Sequence, residues 1–199
     1  MKQFLIIGNI NAVAYKQVFP LIKAGQVRLG VCNRTRAFVT PEGKEQPFGN
    51  TYWFTTLSHG HINPPLALTA TYMPDAYPKY DNYDAINVDR VKDIPCDYDG
   101  VMGVPISFLD KWCAEQFEIV GITRLWGGMA TKIYKDSTDA REDGCDTRAQ
   151  ILNSGPNIAV EELPAGAKFY IYQGVILKRL YNRILIRRKC PDHLRDIRK

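Results

Sequence analysis

The stretch Gln3-Phe4-Leu5-Ile6-Ile7-Gly8-Asn9-Ile10-Asn11 decides how the fold is read. Phe4 to Ile7 is apolar without interruption and is bounded by Gly8 and Asn9, the pattern of a strand buried on both faces, as in a parallel sheet. From Ala12 to Ala24, Val13, Val18, Leu21 and Ile22 have mainly helical spacing, with Pro20 kinking or splitting the helix and Gly25 capping its end. Val27-Arg28-Leu29-Gly30-Val31 returns as a strand. Strand, helix and strand within ~30 residues form a right-handed crossover unit, which places this segment at the edge of an open α/β sheet.

Beyond the polar stretch from Thr40 to Asn50, Thr51-Tyr52-Trp53-Phe54-Thr55-Thr56-Leu57 is aromatic and β-branched and predicts a third strand. From His59 to about Gly100, turn chemistry dominates, in Pro64-Pro65, Met73-Pro74-Asp75, Tyr77-Pro78, Asp81-Asn82 and Asp99-Gly100. Loop-rich segments on a rigid scaffold commonly carry recognition. Pro105 opens a short helix through Trp112, and a strand follows from Phe117 to Ile122. Trp126 to Gly155 reads as a mobile loop region. Phe169 to Tyr172, Val175 to Leu180 and Arg183 to Arg188 read as short strands, the last running into basic residues.

The 199 residues, 45% hydrophobic and 24% charged, suit a globular chain of one domain or slightly more and exclude collagen-like, coiled-coil and wholly disordered classes. No apolar run approaches the ~18 residues that cross a bilayer. Asn9 and Asn11 interrupt what would otherwise imitate a signal peptide. Cys32, Cys96, Cys113, Cys145 and Cys190 are scattered and odd in number, which disfavours a disulfide framework or a zinc site and makes a reducing cytoplasm the expected location. The formal charge of +5 is compatible with polyanion binding, and its distribution matters more. Arg28, Arg34 and Arg36 cluster early, and basic residues from Lys178 to Lys199 crowd the end, including Arg195, Arg198 and Lys199.

Asn9 and Asn11 follow a strand end, where open α/β sheets place ligands; the alternative is a plain strand-to-helix turn with Asn11 as its cap. Gly8-Asn9-Ile10-Asn11 has neither the dinucleotide fingerprint nor the Walker lysine. Asn63-Pro64-Pro65-Leu66 resembles the Asn-Pro-Pro-aromatic tetrapeptide of amino-methyltransferases, but Leu66 supplies no π face and the residues before it are not a buried strand, so it reads as a proline turn. Pro95-Cys96 resembles the nucleophile of cytosine methyltransferases, but Asp93 and Asp97 flank it and carboxylates disfavour a thiolate; a structural cysteine is expected. His59 and His61 lack the further ligands that a metal needs.

Taken in order, Phe4 to Ala12, Tyr15 to Lys23, Lys79-Tyr80-Asp81-Asn82-Tyr83-Asp84-Ala85-Ile86, Ile94-Pro95-Cys96-Asp97-Tyr98-Asp99-Gly100-Val101-Met102-Gly103-Val104-Pro105 through Lys111, and Arg183-Ile184-Leu185-Ile186-Arg187-Arg188-Lys189 resemble the EcoRI-type adenine-specific DNA methyltransferases almost end to end. In that family a glycine-bearing cofactor loop and an Asn-Pro-Pro-Phe strand end precede the Phe-Leu-Ile-Ile-Gly-Asn strand, which here begins at Phe4. The resemblance therefore implies the C-terminal part of such an enzyme, without the loop for S-adenosylmethionine or the tetrapeptide that grips adenine.

The implied fold class is α/β: residues 1–60 would supply the fifth to seventh strands of a partial class-I, Rossmann-like methyltransferase sheet, and residues 61–199 a mixed, loop-rich target-recognition region. The implied activity is methyl transfer from S-adenosylmethionine to the exocyclic amine of adenine in duplex DNA, with no catalysis by this chain alone and no catalytic residue within it. Asn9 and Asn11 would lie on the floor of the pocket for the flipped base, and Trp53 and Phe54 would line it or else pack in the core. Arg34, Arg36, Lys79, Tyr80, Asn82, Arg90, Arg124, Lys132, Arg183 and Arg187 are the candidate DNA contacts. The expected partner is duplex DNA, and, in the alternative that this chain is one half of a split methyltransferase, a separately encoded N-terminal half as well. The alternatives are a non-catalytic DNA-binding module or remnant and an inert α/β protein, which would show no salt-dependent DNA affinity.

Overall fold

The computed structural model describes residues 2–30, 37–47, 49–58, 63–135, 149–162 and 169–189. The sequence candidates Arg34, Arg36, His59, His61, Cys32, Cys145, Cys190, Arg195, Arg198 and Lys199 lie outside these residues. The fold is α/β with mixed sheets and short helices, and it divides into two compact units, one of residues 1–64 with 109–112 and one of 65–108 with 113–199.

In the first unit, β1 (Leu5–Asn9) leads through a 3-10 turn at Ile10–Ala14 to α1 (Phe19–Lys23) and β2 (Arg28–Leu29). The hairpin of β3 (Ala37–Val39) and β4 (Glu45–Pro47) precedes β5 (Thr51–Thr55). The single helix expected from Ala12 to Ala24 is thus split, as Pro20 allows; it stands in the first turn of α1, where its missing N–H costs nothing. Gly25, at φ +67°, reverses the chain as a left-handed residue after α1, and Gln26 N–H then reaches Leu21 O at 2.8 Å.

β5 stands between β1 and β2 and is antiparallel to both, so β1 and β2 run parallel on either side of it. This corrects two expectations. The apolar run pairs with an antiparallel neighbour, and Leu5, Ile6 and Ile7 are exposed instead of buried on both faces. The physical reason is position: β1 is the edge of its three-stranded sheet. The buried side chains of this unit include Val13, Ala14, Phe19, Ile22 and Val27 together with Tyr52 and Phe54, while Trp53, on the opposite face of β5, is exposed. Tyr52 is further held by its hydroxyl, which donates to Asp110 Oδ2 at 3.4 Å.

In the second unit, β6 (Ile86–Asn87), β7 (Met102–Pro105), β8 (Phe117–Ile122), α2 (Ala149–Leu152), β9 (Asn157–Val160), β10 (Phe169–Tyr172), β11 (Val175–Arg179) and β12 (Arg183–Arg188) form two sheets, ordered β6-β7-β12-β8 and β10-β11-β9. Among the described strand pairs of these two sheets, β6–β7 is parallel and the others are antiparallel. A 3-10 turn at Ile106–Lys111 stands where Pro105 predicted a short helix. Ile184 aligns with Val104 and Ile122, all fully buried, on one face of the larger sheet, while Leu185 faces the other way between Gly103 and Gly121. Tyr80, Tyr83, Ala85 and Ile158 complete the core on that second face. Gly103 is required there: a Cβ at that position would collide with the Tyr80 ring and hydroxyl. Trp126 to Gly155 is not all surface loop, since Tyr134 is among the most buried side chains.

Candidate nucleic-acid interface

In the first unit, Asn9 caps the turn that follows β1: its Oδ1 accepts Asn11 N–H at 2.9 Å, so Asn9 fills the capping role expected of Asn11. Both are exposed. Trp53 and Phe54 are neighbours on a strand and point to opposite faces, so they cannot line one pocket together. Phe54 is a core residue, and Trp53 is the one available to a ligand. Asn63, of the Asn-Pro-Pro-Leu tetrapeptide, donates from Nδ2 to Trp112 O at 3.0 Å.

In the second unit, Leu66 of that tetrapeptide is clasped by Gln116, which accepts its N–H at 2.6 Å and donates to its carbonyl at 2.8 Å. The Pro95-Cys96 segment is likewise stapled in place, by Cys96 N–H to Ala70 O at 2.8 Å and by Tyr72 N–H to Asp97 Oδ1 at 2.7 Å. Cys96 and Cys113 are free thiols, and among the described residues no three His, Cys, Asp or Glu side chains are grouped to hold a metal.

The candidate DNA contacts separate into two sets. Tyr80, Asn82, Arg124, Lys132 and Arg183 are each bonded to other residues of the protein. Tyr80 is buried and donates to Asn87 Oδ1 at 2.8 Å; Arg183 Nε reaches the same oxygen at 3.3 Å, and its Nη2 lies 3.5 Å from Asp89. Asn87 Nδ2 donates in turn to Asp89 at 2.8 Å. Burial holds the Tyr80 hydroxyl well above the usual phenol range, and the Arg183 charge only partly opposes this. Asn82, also buried, donates to Gly155 O at 3.0 Å and accepts Asn157 N–H at 2.9 Å. Arg124 donates from Nη1 to Ser154 O at 3.2 Å.

Lys132 belongs to a cluster that periodicity did not reveal. Its Nζ is 2.8 Å from Asp81 Oδ2, which also accepts the Tyr134 hydroxyl at 2.6 Å, and it lies 5.3 Å from the Tyr134 ring centre and 5.8 Å from that of Tyr172. Tyr134 is fixed at its backbone by Asn153, which accepts its N–H at 3.0 Å and donates to its carbonyl at 2.8 Å. Burial, and then the Asp81 carboxylate, push the Tyr134 hydroxyl far up.

Lys79, Arg90 and Arg187 form the second set and are exposed. Arg90 shares its charge with Asp93 at 2.9 Å, whereas Lys79 and Arg187 have no ion-pair partner within 4.0 Å among the described residues. Sequence reading also missed Tyr181. It is 84% exposed, yet the residues around it are pinned: Leu180 N–H donates to Pro156 O at 2.9 Å, and Arg183 N–H donates to Thr123 Oγ1 at 2.7 Å. Its position in the turn between two strands was the only available signal.

The described helices include none long and apolar enough to cross a membrane. The family model for adenine-specific methyltransferase EcoRI matches residues 1–189. The chain is 45% identical over 138 residues to the type II methyltransferase M.EcoRI of Escherichia coli, covering 60% of this chain and 42% of the relative. It is 37% identical over 139 residues to M.MgeORF184P of Mycoplasma genitalium and 35% identical over 139 residues to M.MpnI of Mycoplasma pneumoniae, covering 60% of this chain and 44% of the relative in both cases. The chain thus spans less than half the length of these curated relatives. No solved structure matches it. The match over residues 1–189 places the chain in the EcoRI family of adenine-specific methyltransferases.

Proposed function

We infer that the chain serves in methyl transfer to the exocyclic amine of adenine in duplex DNA, and that its own share is to bind and present the DNA. The family match over residues 1–189 carries this reading. Residues 1–60 then correspond to the fifth to seventh strands of a class-I, Rossmann-like methyltransferase sheet, with β1, β2 and β5 in those places, and residues 61–199 to the target-recognition region. Lys79 and Arg187, exposed cations without an ion-pair partner among the described residues, are suited to phosphate contacts. Arg34 and Arg36 remain candidates from the sequence. Trp53 and Tyr181 offer exposed aromatic faces on which an unstacked base could rest. Tyr80, Asn82, Lys132 and Arg183 instead shape the surface from within.

The methyl donor that the family implies is S-adenosylmethionine. The turn after β1 does not form a cradle for it. Gly8, the glycine at the strand end, has the Phe54 ring 3.2 Å from the place of a Cβ, and the turn after it is closed by the Asn9 cap. We assign the donor site and the amide that grips adenine to the part of the relatives that this chain does not match, so that these 199 residues by themselves would transfer no methyl group. A second reading, a DNA-binding module without any catalytic role, shares with the first the exposed Lys79 and Arg187.

Gel-shift titration of the chain with duplex DNA at two salt concentrations tests the shared claim. Affinity should fall steeply with salt, because each phosphate contact releases counterions; salt-independent or undetectable binding would refute it.

A further inference from the structure

The short connection from β11 to β12 displays an aromatic ring on a fixed backbone. Tyr181 is 84% exposed, although aromatic side chains ordinarily bury most of their surface. Its neighbours in the chain are held on both sides. Leu180 N–H donates to Pro156 O at 2.9 Å, Arg183 N–H to Thr123 Oγ1 at 2.7 Å, and Thr123 N–H to Arg183 O at 3.0 Å. The Asn182 carboxamide, with its nitrogen turned inward, donates to Ser154 O and Thr123 O, each at 3.1 Å. Gly155 allows the close approach, since a Cβ there would lie 3.1 Å from Leu180 O. The ring therefore projects from a braced support, and ordering it against a ligand costs little beyond its own two torsions.

The surroundings of the ring are cationic. Residues 122–127, 153–158 and 178–184, which build the support, contain Arg124, Lys178, Arg179 and Arg183 and no Asp or Glu. Arg124 Nη1 donates at 3.2 Å to the same Ser154 carbonyl that anchors Asn182, and Arg179 Nε lies 3.8 Å from the place a Gly155 Cβ would take. Neither of these two arginines has an ion-pair partner within 4.0 Å among the described residues; Arg183 has Asp89 at 3.5 Å. An exposed ring flanked by unpaired guanidinium groups matches a polyanion with stacked bases better than a protein surface, whose contacts are apolar at the centre. A ring that stands this far out is also ill placed to wall a pocket for an extruded base, and it fits the gap that such a base leaves. We propose that Tyr181 enters the base stack of bound duplex DNA at the position vacated by the extruded base, where the neighbouring bases stack on its faces, while Arg124 and Arg179 hold the flanking phosphates. The proposal rests on the DNA reading above and names the residue that occupies the opened duplex.

The test measures binding of the full chain, by fluorescence anisotropy, to two duplexes of one sequence, one intact and one with an adenosine replaced by an abasic site. The abasic duplex has its gap already open, so the chain should bind it about 10- to 100-fold more tightly than the intact one. Tyr181→Ala should reduce that preference to less than about twofold, with the urea midpoint and the salt dependence unchanged. Tyr181→Phe should keep the preference, because the ring and not the hydroxyl stacks. Arg124→Ala and Arg179→Ala should each flatten the slope of log affinity against log salt by about 0.9, and unchanged slopes in both would overturn their part of the proposal. Equal affinity for the two duplexes, a preference that survives Tyr181→Ala, or one that is lost in Tyr181→Phe would overturn the part given to Tyr181, and salt-dependent binding in those cases would leave the functional reading standing. Undetectable binding of both duplexes would overturn the two together.

Discussion

The Tyr80 hydroxyl donates to Asn87 Oδ1 at 2.8 Å, an oxygen that Arg183 Nε also approaches at 3.3 Å. One buried amide oxygen thus joins a loop tyrosine to an arginine of β12, two residues whose types suggest DNA contact but whose positions serve the core. Tyr80→Phe should cost about 1 kcal/mol, since Arg183 still partners Asn87. Gly103→Ala should cost about 1–3 kcal/mol, because its Cβ would displace the Tyr80 ring. Urea denaturation of the two variants measures both.

Lys132 lies against Asp81, Tyr134 and Tyr172. Lys132→Ala and Tyr134→Phe should each destabilise the chain by about 1–2 kcal/mol, with less than additive loss in the double variant, because both act through the same Asp81 oxygen. DNA affinity of the folded variants should change little. A large affinity loss with unchanged stability would instead make Lys132 a direct contact.

Lys79→Ala and Arg187→Ala should behave in the opposite way. Each should reduce the slope of log affinity against log salt by about 0.9, the value for one phosphate contact. Stability should stay within about 0.5 kcal/mol, as for surface positions generally. Salt-titrated binding isotherms give the slopes.

Phe54 and Trp53 separate stability from recognition on a single strand. Phe54→Ala should cost about 3–5 kcal/mol as a buried aromatic, while Trp53→Ala should cost about 1 kcal/mol. Thermal melts of the two variants check the contrast.

High pH should unfold the chain. Burial pushes the Tyr83 hydroxyl up to about 12, from an ordinary value of 10.0, and the Arg124 charge opposes it less strongly. Tyr80 and Tyr134 shift in the same direction. The unfolded chain releases these protons near 10 while the folded chain retains them, so the stability is intact below pH 10 and is lost as pH rises toward about 12. Tyr83→Phe should blunt that loss, as followed by urea midpoints across the window.

Local pattern was legible wherever it had a simple period or a strong punctuating residue. Strand-like runs located β8, from Phe117 to Ile122, as well as β10, β11 and β12, while Pro20 and Gly25 marked where α1 begins and ends. The environment of β1 was not legible, because an apolar run suggests a strand buried on both faces, whereas its edge position leaves Leu5, Ile6 and Ile7 exposed. The cluster of Asp81, Lys132 and Tyr134 was also hidden: Asp81 lies 51 and 53 positions before the other two, so only the fold brings it to them. The same limit explains Tyr80 and Asn82. Polar residues in a loop-rich segment look available for a ligand until their internal partners are seen.

The most direct test of the central claim is transfer of a labelled methyl group from S-adenosylmethionine to duplex DNA, measured for the purified chain alone and together with the uncovered part of the E. coli relative. No transfer by the chain alone and transfer to adenine by the pair is the expected result. Methylation by the 199-residue chain unaided would contradict the account.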